Sequence, residues 1–253
     1  DASWFNYNGV SVFSSMAYEK SANLQHNLGL NSNYINSYIY APQTPVYNAM
    51  MSLKYLVNND DSAMNDQLFE KVAENDRFAA YRNNYYLPLA YSVSEEVEKW
   101  VTSGSNPFEI QNDYWTRATD AGDVFKRISA STYKTDNIRD DEDLLRENFT
   151  YYKDGVNQEG SIVLKYEIPE AQNVYLYVDC QSAETLDVSG TNGFSKTQDP
   201  DDPYVLDCGY FEKGEILTLE IKIPADKESG YADIYAVGLD MNNFEAGYNK
   251  LAN

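Results

Sequence analysis

The sequence predicts an α+β protein: a mixed α/β region over residues 1–140, then an antiparallel β-sandwich, jelly-roll-like, over 141–253. Three observations predict it. Apolar residues recur at three and four positions in short stretches of the first half, then alternate with period two in the second. A charge-dense, apolar-poor stretch, Thr135–Asn148, separates the two patterns and takes the expected boundary. Past it, clusters of Gly, Pro, Asp and Asn such as Gly190–Gly193 and Asp199–Pro203 punctuate the strand-like runs. Jelly-roll and immunoglobulin-like strand order both fit that alternation.

The least ambiguous local signal runs from Tyr38 to Val57. Thr44 is placed to cap a helix that Pro45 opens, because the Thr hydroxyl accepts an orphan amide and Pro has none to leave unpaired. Val46, Ala49, Met50 and Leu53 give that helix one apolar face, and Lys54–Val57 follow as a strand stopped by Asn58–Asp61. Such a stripe reads first as ordinary core. Upstream, Gly9–Ser14 alternates as a strand, and a helix begun at Ser15 or Ser21 runs to Leu28 with Gly29 as its stop.

Leu68–Ala73 and Arg77–Arg82 form a predicted hairpin around Glu74–Asp76, and Tyr85–Tyr91 continues extended through Pro88. Ser94-Glu95-Glu96 opens a helix expected to end near Gly104. Asn106-Pro107-Phe108-Glu109 has the form of a capping box, with Phe108, Gln111 and Trp115 on one face and Gly122 as the close. Residues 124–133 read as a strand. In the second half the expected strands are 149–153, 161–168, 174–180, 204–211, 215–223 and 231–239.

Charge excludes partners. Forty acidic against 19 basic side chains leave a formal net of −21, which repels phosphate backbones, so nucleic acid is not a partner, and disfavours a basic-patch contact with anionic lipid. No apolar run approaches a membrane span in length, and the abrupt start at Asp1 and polar Leu-Ala-Asn end read as a fragment. The two cysteines, Cys180 and Cys208, are either one disulfide or two buried thiols.

No catalytic constellation emerges. His26 is the only histidine, lacks a nucleophile motif around it, and reads as structural or solvent-facing. Histidine-pair zinc sites are excluded, and Asp199–Pro203 lacks the Gly of an EF-hand loop, so neither metal nor cofactor is expected. Carboxylates are too many to single out a glycosidase pair. Asn148-Phe149-Thr150 is formally a glycosylation sequon. Tyr175, Tyr177, Tyr204 and Tyr210 either fill strand faces or stack on sugar rings, and filling is the simpler reading.

Four blocks nevertheless resemble the YfhO family of bacterial multi-pass membrane proteins, in the family's order. They are Gly9–Ser15, Thr44–Val57, Tyr81–Ala90 and Asn106–Asn112. Ser52 departs from the pattern, standing where family members usually carry Gly before the Leu-Lys-Tyr. Residues 113–253 match only in their β-rich character. The resemblance implies an extracytoplasmic portion, at the cell membrane, of a GT-C-like glycosyltransferase that moves sugars from a lipid-linked donor onto cell-surface glycopolymers such as teichoic acids. The catalytic carboxylate of such enzymes belongs to a loop between membrane helices, so no catalytic residue carries over. Phe13, Ser14, Ser15, Tyr38 and Tyr40 are the expected substrate-facing residues, on aromatic and hydroxyl content. A secreted sugar-binding or adhesion module and a soluble glycoside hydrolase are the rival readings.

Overall fold

The computed structural model describes residues 9–58 and 64–252; part of the strand stop expected at Asn58–Asp61 lies outside them. The chain opens with β1 (Val12–Phe13), α1 (Glu19–Asn27), β2 (Asn31–Ser32) and β3 (Ser37–Ile39), the three strands forming a small sheet ordered β1-β3-β2. Neither Ser15 nor Ser21 caps α1; Tyr18 holds the cap position without a side-chain bond. Gly29 follows the helix at φ +93°, and an added Cβ would meet Val205 Cγ2 at 2.4 Å. That close approach lets Gly29 O accept Val205 N at 2.8 Å and tie the N-terminal segment to the sandwich.

The Thr44–Pro45 signal is realised as expected. Helix α2 (Pro45–Met50) is capped by Thr44, whose Oγ1 accepts from Tyr47 N at 3.1 Å. It turns into β4 (Tyr55–Asn58), which pairs with β6 (Ala79–Asn83), itself paired to β5 (Phe69–Glu74). Asn75 Oδ1 accepts from Arg77 N and Phe78 N and closes the β5–β6 turn. Ser94 caps only a short 3-10 turn, Glu95–Lys99, not a helix reaching Gly104. Asn106 caps α3 (Pro107–Thr119) by accepting from Phe108 N and Glu109 N, and Asp120 in the left-handed region ends it before Gly122.

The stretch expected as one strand over 124–133 is two short ones, β7 (Phe125–Arg127) and β8 (Thr132–Asp136). Then come β9 (Asn148–Tyr152), β10 (Gly160–Glu167), β11 (Gln172–Asp179), β12 (Thr185–Gly190), β13 (Ser195–Gln198), β14 (Leu206–Phe211), β15 (Ile216–Ile223), β16 (Ser229–Leu239) and α4 (Met241–Leu251). One sheet is ordered β13-β12-β15-β10-β8; the other is β14-β11-β16-β7, with β9 beside the opposite end of β16. All these pairings are antiparallel. Strands β9 to β16 therefore lie 9-16-11-14 and 10-15-12-13, the strand order of a jelly roll. Strands β7 and β8 come from before residue 141 and extend both sheets.

Two cores result. Val174, Leu176 and Val178 of β11 face Leu164, Leu186, Leu219 and Ile221 inside the roll, with free, buried Cys180 and Cys208 among them. The outer face of β11 and β16, bearing Tyr175, Tyr177, Tyr235, Val237 and Leu239, packs against a helical layer of Phe108, Tyr114, Trp115 and Phe244. The architecture is thus sheet on sheet on helix, with the β11 sheet in the middle. Tyr175 and Tyr177 fill a strand face, while Tyr204 is half-buried and Tyr210 exposed.

Helix α4 closes that layer. Asp240 caps it through Asn243 N at 3.1 Å, and the rings of Trp115 and Phe244 stack at 5.1 Å. Gly247 permits the approach, since a Cβ there would meet Trp115 Nε1 at 2.2 Å. Phe244→Ala should cost about 3–5 kcal/mol, read as a lowered denaturant midpoint. Ser52 sits at φ +55°, a left-handed position that favours Gly; its Oγ donates to Pro88 O at 3.0 Å. Ser52→Gly should stabilise by about 0.5–1 kcal/mol, because relief of left-handed strain outweighs one exposed hydrogen bond. An unchanged or lower midpoint would refute that balance.

Candidate functional site

Residues 231, 233, 235, 237 and 239 of β16 point to one face of the middle sheet, together with 175, 177 and 179 of β11. That face changes character along the strand. Val237, Leu239 and Tyr175 lie under the helices; Tyr231, Asp233 and Asp179 lie beyond their cover. The register sets Asn148, Asp233 and Asp179 in one row across β9, β16 and β11. An open groove of about 630 Å³ runs between this floor and a wall made by Val101, Gly104, Ser105 and the first turns of α3, including Glu109 and Asp113. Tyr231 also borders a second hollow of about 320 Å³ with Asp179, Gln181, Ser182 and Asp233.

The polar groups are held in place. Asn148 Nδ2 donates to Asp233 Oδ1 and, at 2.9 Å, to Tyr235 Oη, which lies 2.9 Å from Ser105 Oγ. Tyr231 Oη donates to Asp233 Oδ1 at 2.9 Å, fixing a ring that is 53 % exposed. Burial and the neighbouring Asp233 raise the Asp179 carboxyl above the usual carboxylate range. Burial also raises Glu147, against the pull of Arg127, whose Nε lies 2.9 Å from Glu147 Oε1. A flat exposed ring edged by carboxylate and carboxamide oxygens suits a ligand with an apolar face and a rim of hydroxyl donors. Asp179 and Asp233 stand side by side on the floor, whereas glycosidase carboxylates flank the scissile bond.

The five residues expected to face substrate lie elsewhere. Phe13, Ser14 and Ser15 occupy β1 and the turn after it, and Tyr38 pairs across from Val12 on β3. Tyr40 enters a separate buried polar cluster, its Oη donating to Asn48 Oδ1 at 2.9 Å and its electrostatics coupled to Asp207. None of the five lines the groove. The signal for the groove was the alternation Tyr231-Asp233-Tyr235-Val237-Leu239, a face that begins polar and ends apolar. His26 is buried against the Tyr34 ring at 4.0 Å, and burial lowers its pKa to about 4. Among the described residues no cluster of His, Cys, Asp and Glu is placed to hold a metal ion, and no helix is long and apolar enough to cross a membrane.

Fold and groove together define a jelly-roll module carrying a helical layer and an open, tyrosine-floored polar groove. The chain belongs to the bacterial membrane protein YfhO family, whose profile matches residues 1–253. No protein of curated function matches it. Among solved structures it is similar to TmCBM61 in complex with β-1,4-galactotriose (13 % identity, 43 % of this chain and 89 % of that one, TM-score 0.29). It is also similar to a family 29 carbohydrate-binding module from Piromyces equi (16 % identity, 46 % and 91 %, TM-score 0.26). A third is the enzymatically active domain of bacteriophage CBA120 tailspike protein 4 (14 % identity, 46 % and 19 %, TM-score 0.24).

Asp207 lies opposite Tyr175 across β11 and β14, and burial pushes its carboxyl up to about 6 from 3.8. A carboxyl raised on folding favours the folded state below its unfolded pKa, and that benefit is lost as pH climbs through the folded value. Wild type should lose stability relative to Asp207→Asn between about pH 4 and 6. His26 works in the opposite sense over part of that window, so the difference between the two proteins is the measurement. Asp207→Asn should melt a few degrees higher at pH 7.5, for a gain of about 1–3 kcal/mol, and the gap should close near pH 4.

Proposed function

We propose that this chain is the extracytoplasmic part of its membrane protein and binds glycan in the Tyr231 groove. It positions a sugar acceptor or donor, such as a cell-surface glycopolymer or lipid-linked sugar, for chemistry done in the membrane by a GT-C-like glycosyltransferase. The observation that carries this reading is the exposed Tyr231 ring, fixed by Asp233 beside Asn148 and floored by Tyr235. Stacking supplies affinity there, and the carboxylate and carboxamide select hydroxyl pattern. Family membership supports the membrane context. The division into units 1–140 and 141–253 belongs to the same proposal, with β7 and β8 of the first unit pairing into the sheets of the second.

The charge of the groove narrows the ligand. Glu109, Asp113 and Glu147 line it, and Asp179 and Asp233 line the adjoining hollow, so a phosphodiester backbone of the teichoic type is repelled. On a polymer of that kind the groove engages the uncharged sugar substituents.

Calorimetric titration of the chain with neutral oligosaccharides chosen from a glycan array tests this. Tyr231→Ala should weaken binding at least about tenfold without lowering the melting temperature. Absence of any glycan binding, or affinity indifferent to Tyr231, refutes the reading. Release of reducing sugar by the chain, abolished in Asp179→Asn, would replace it with glycoside hydrolysis.

A further inference from the structure

Charge is distributed very unevenly along this chain. Of the 40 acidic side chains only Asp1 and Glu19 precede Lys54, and of the 19 basic ones only Lys20 does. That segment, whose only charged side chains are Asp1, Glu19 and Lys20, also exposes apolar ones: Phe13 is 83 % exposed, Met16 87 %, Tyr18 81 %, Ile35 63 % and Ile39 57 %. They gather at one place. Phe13 pairs with Ser37, two residues from Ile39 and on the same face of the small sheet. Ser14 N donates to Asn36 O at 3.2 Å, setting the turn that bears Met16 beside the turn that bears Ile35.

The presentation of Ile35 is built, not incidental. Asn33 Oδ1 accepts from the amides of Ile35, Asn36 and Ser37 at 2.9–3.0 Å, and Tyr34 takes φ +63° with its ring against His26. A turn this strongly bonded holds an isoleucine in water, where burial would gain free energy.

We propose that this tip, centred on Phe13, Ile35 and Ile39, rests on the lipid bilayer. The chain belongs to a membrane-protein family, and aromatic and aliphatic side chains without neighbouring charge suit the headgroup boundary. The rest of the molecule, with nearly all the acid, is held away from an anionic leaflet, so charge orients the tip toward the membrane. The contact itself does not depend on what the groove binds.

The test is flotation of the 253-residue chain with phosphatidylcholine vesicles, with and without phosphatidylglycerol. Wild type should float with phosphatidylcholine, and Phe13→Ser/Ile35→Ser/Ile39→Ser should reduce the bound fraction at least tenfold. Phosphatidylglycerol should weaken binding at low salt, and added salt should restore it. Should the triple variant melt early, a nitroxide on Ile35→Cys reads the contact directly, because Cys180 and Cys208 are buried. Its accessibility to oxygen should rise over that to a water-soluble nickel chelate when vesicles are added. Wild type that does not float, or floats no better than the triple variant, overturns the proposal. So does a dimer that the triple variant abolishes, which would assign the tip to a second copy of the chain.

Discussion

Everything in this molecule hangs on a sheet that is buried on both sides. Strand β11 is covered along nearly its whole length because its even-numbered residues enter the jelly roll and its odd-numbered ones meet the helices. Val174, Leu176 and Val178 are small and branched, suited to the gap between two sheets. Tyr175 and Tyr177 are long, and their rings meet Phe125 of β7 and Tyr235 of β16 on the same face of the sheet, beneath the helices. Removing either cover would expose a full apolar face. The jelly roll and the helical layer are therefore joined through hydrophobic burial, and β7 and β8, which precede the jelly roll in the chain, pair into its two sheets.

The groove is where that cover runs out. The helices protect the Val237 and Leu239 end of β16 and stop short of Tyr231, so the same sheet face passes from core to solvent within a few residues. Carboxylates are tolerated on that floor because Asp233 is bonded by Asn148 and Tyr231, while Asp179 stays open to the adjoining hollow. Acid concentrated around the groove and absent from the N-terminal tip gives the molecule a directional field, which acts on orientation before any contact forms.

Backbone geometry shows how a resemblance becomes physical. Ser52 occupies a left-handed turn between α2 and β4, and the hydroxyl's bond to Pro88 O gives it a partner that Gly would lack. Gly29 was legible as a helix stop, but its second duty, making room for Val205, depends on a residue just ahead of β14, far along the chain, and has no local signature.

Local chemistry alone determined the capped helices at Thr44 and Asn106, the hairpin at Asn75 and the alternating strands of the second half, because caps, turns and two-residue periods act over a few residues. Helix α4 and strands β12 and β13 were not expected, although Met241, Phe244, Tyr248 and Leu251 give α4 an apolar face at helical spacing; the two strands lie amid turn residues. Only the tertiary structure decided the jelly-roll order, the middle position of the β11 sheet and the place of the groove. Those depend on which strands meet across long stretches of chain, and alternation is blind to that: it reports that a face is covered and leaves open what covers it.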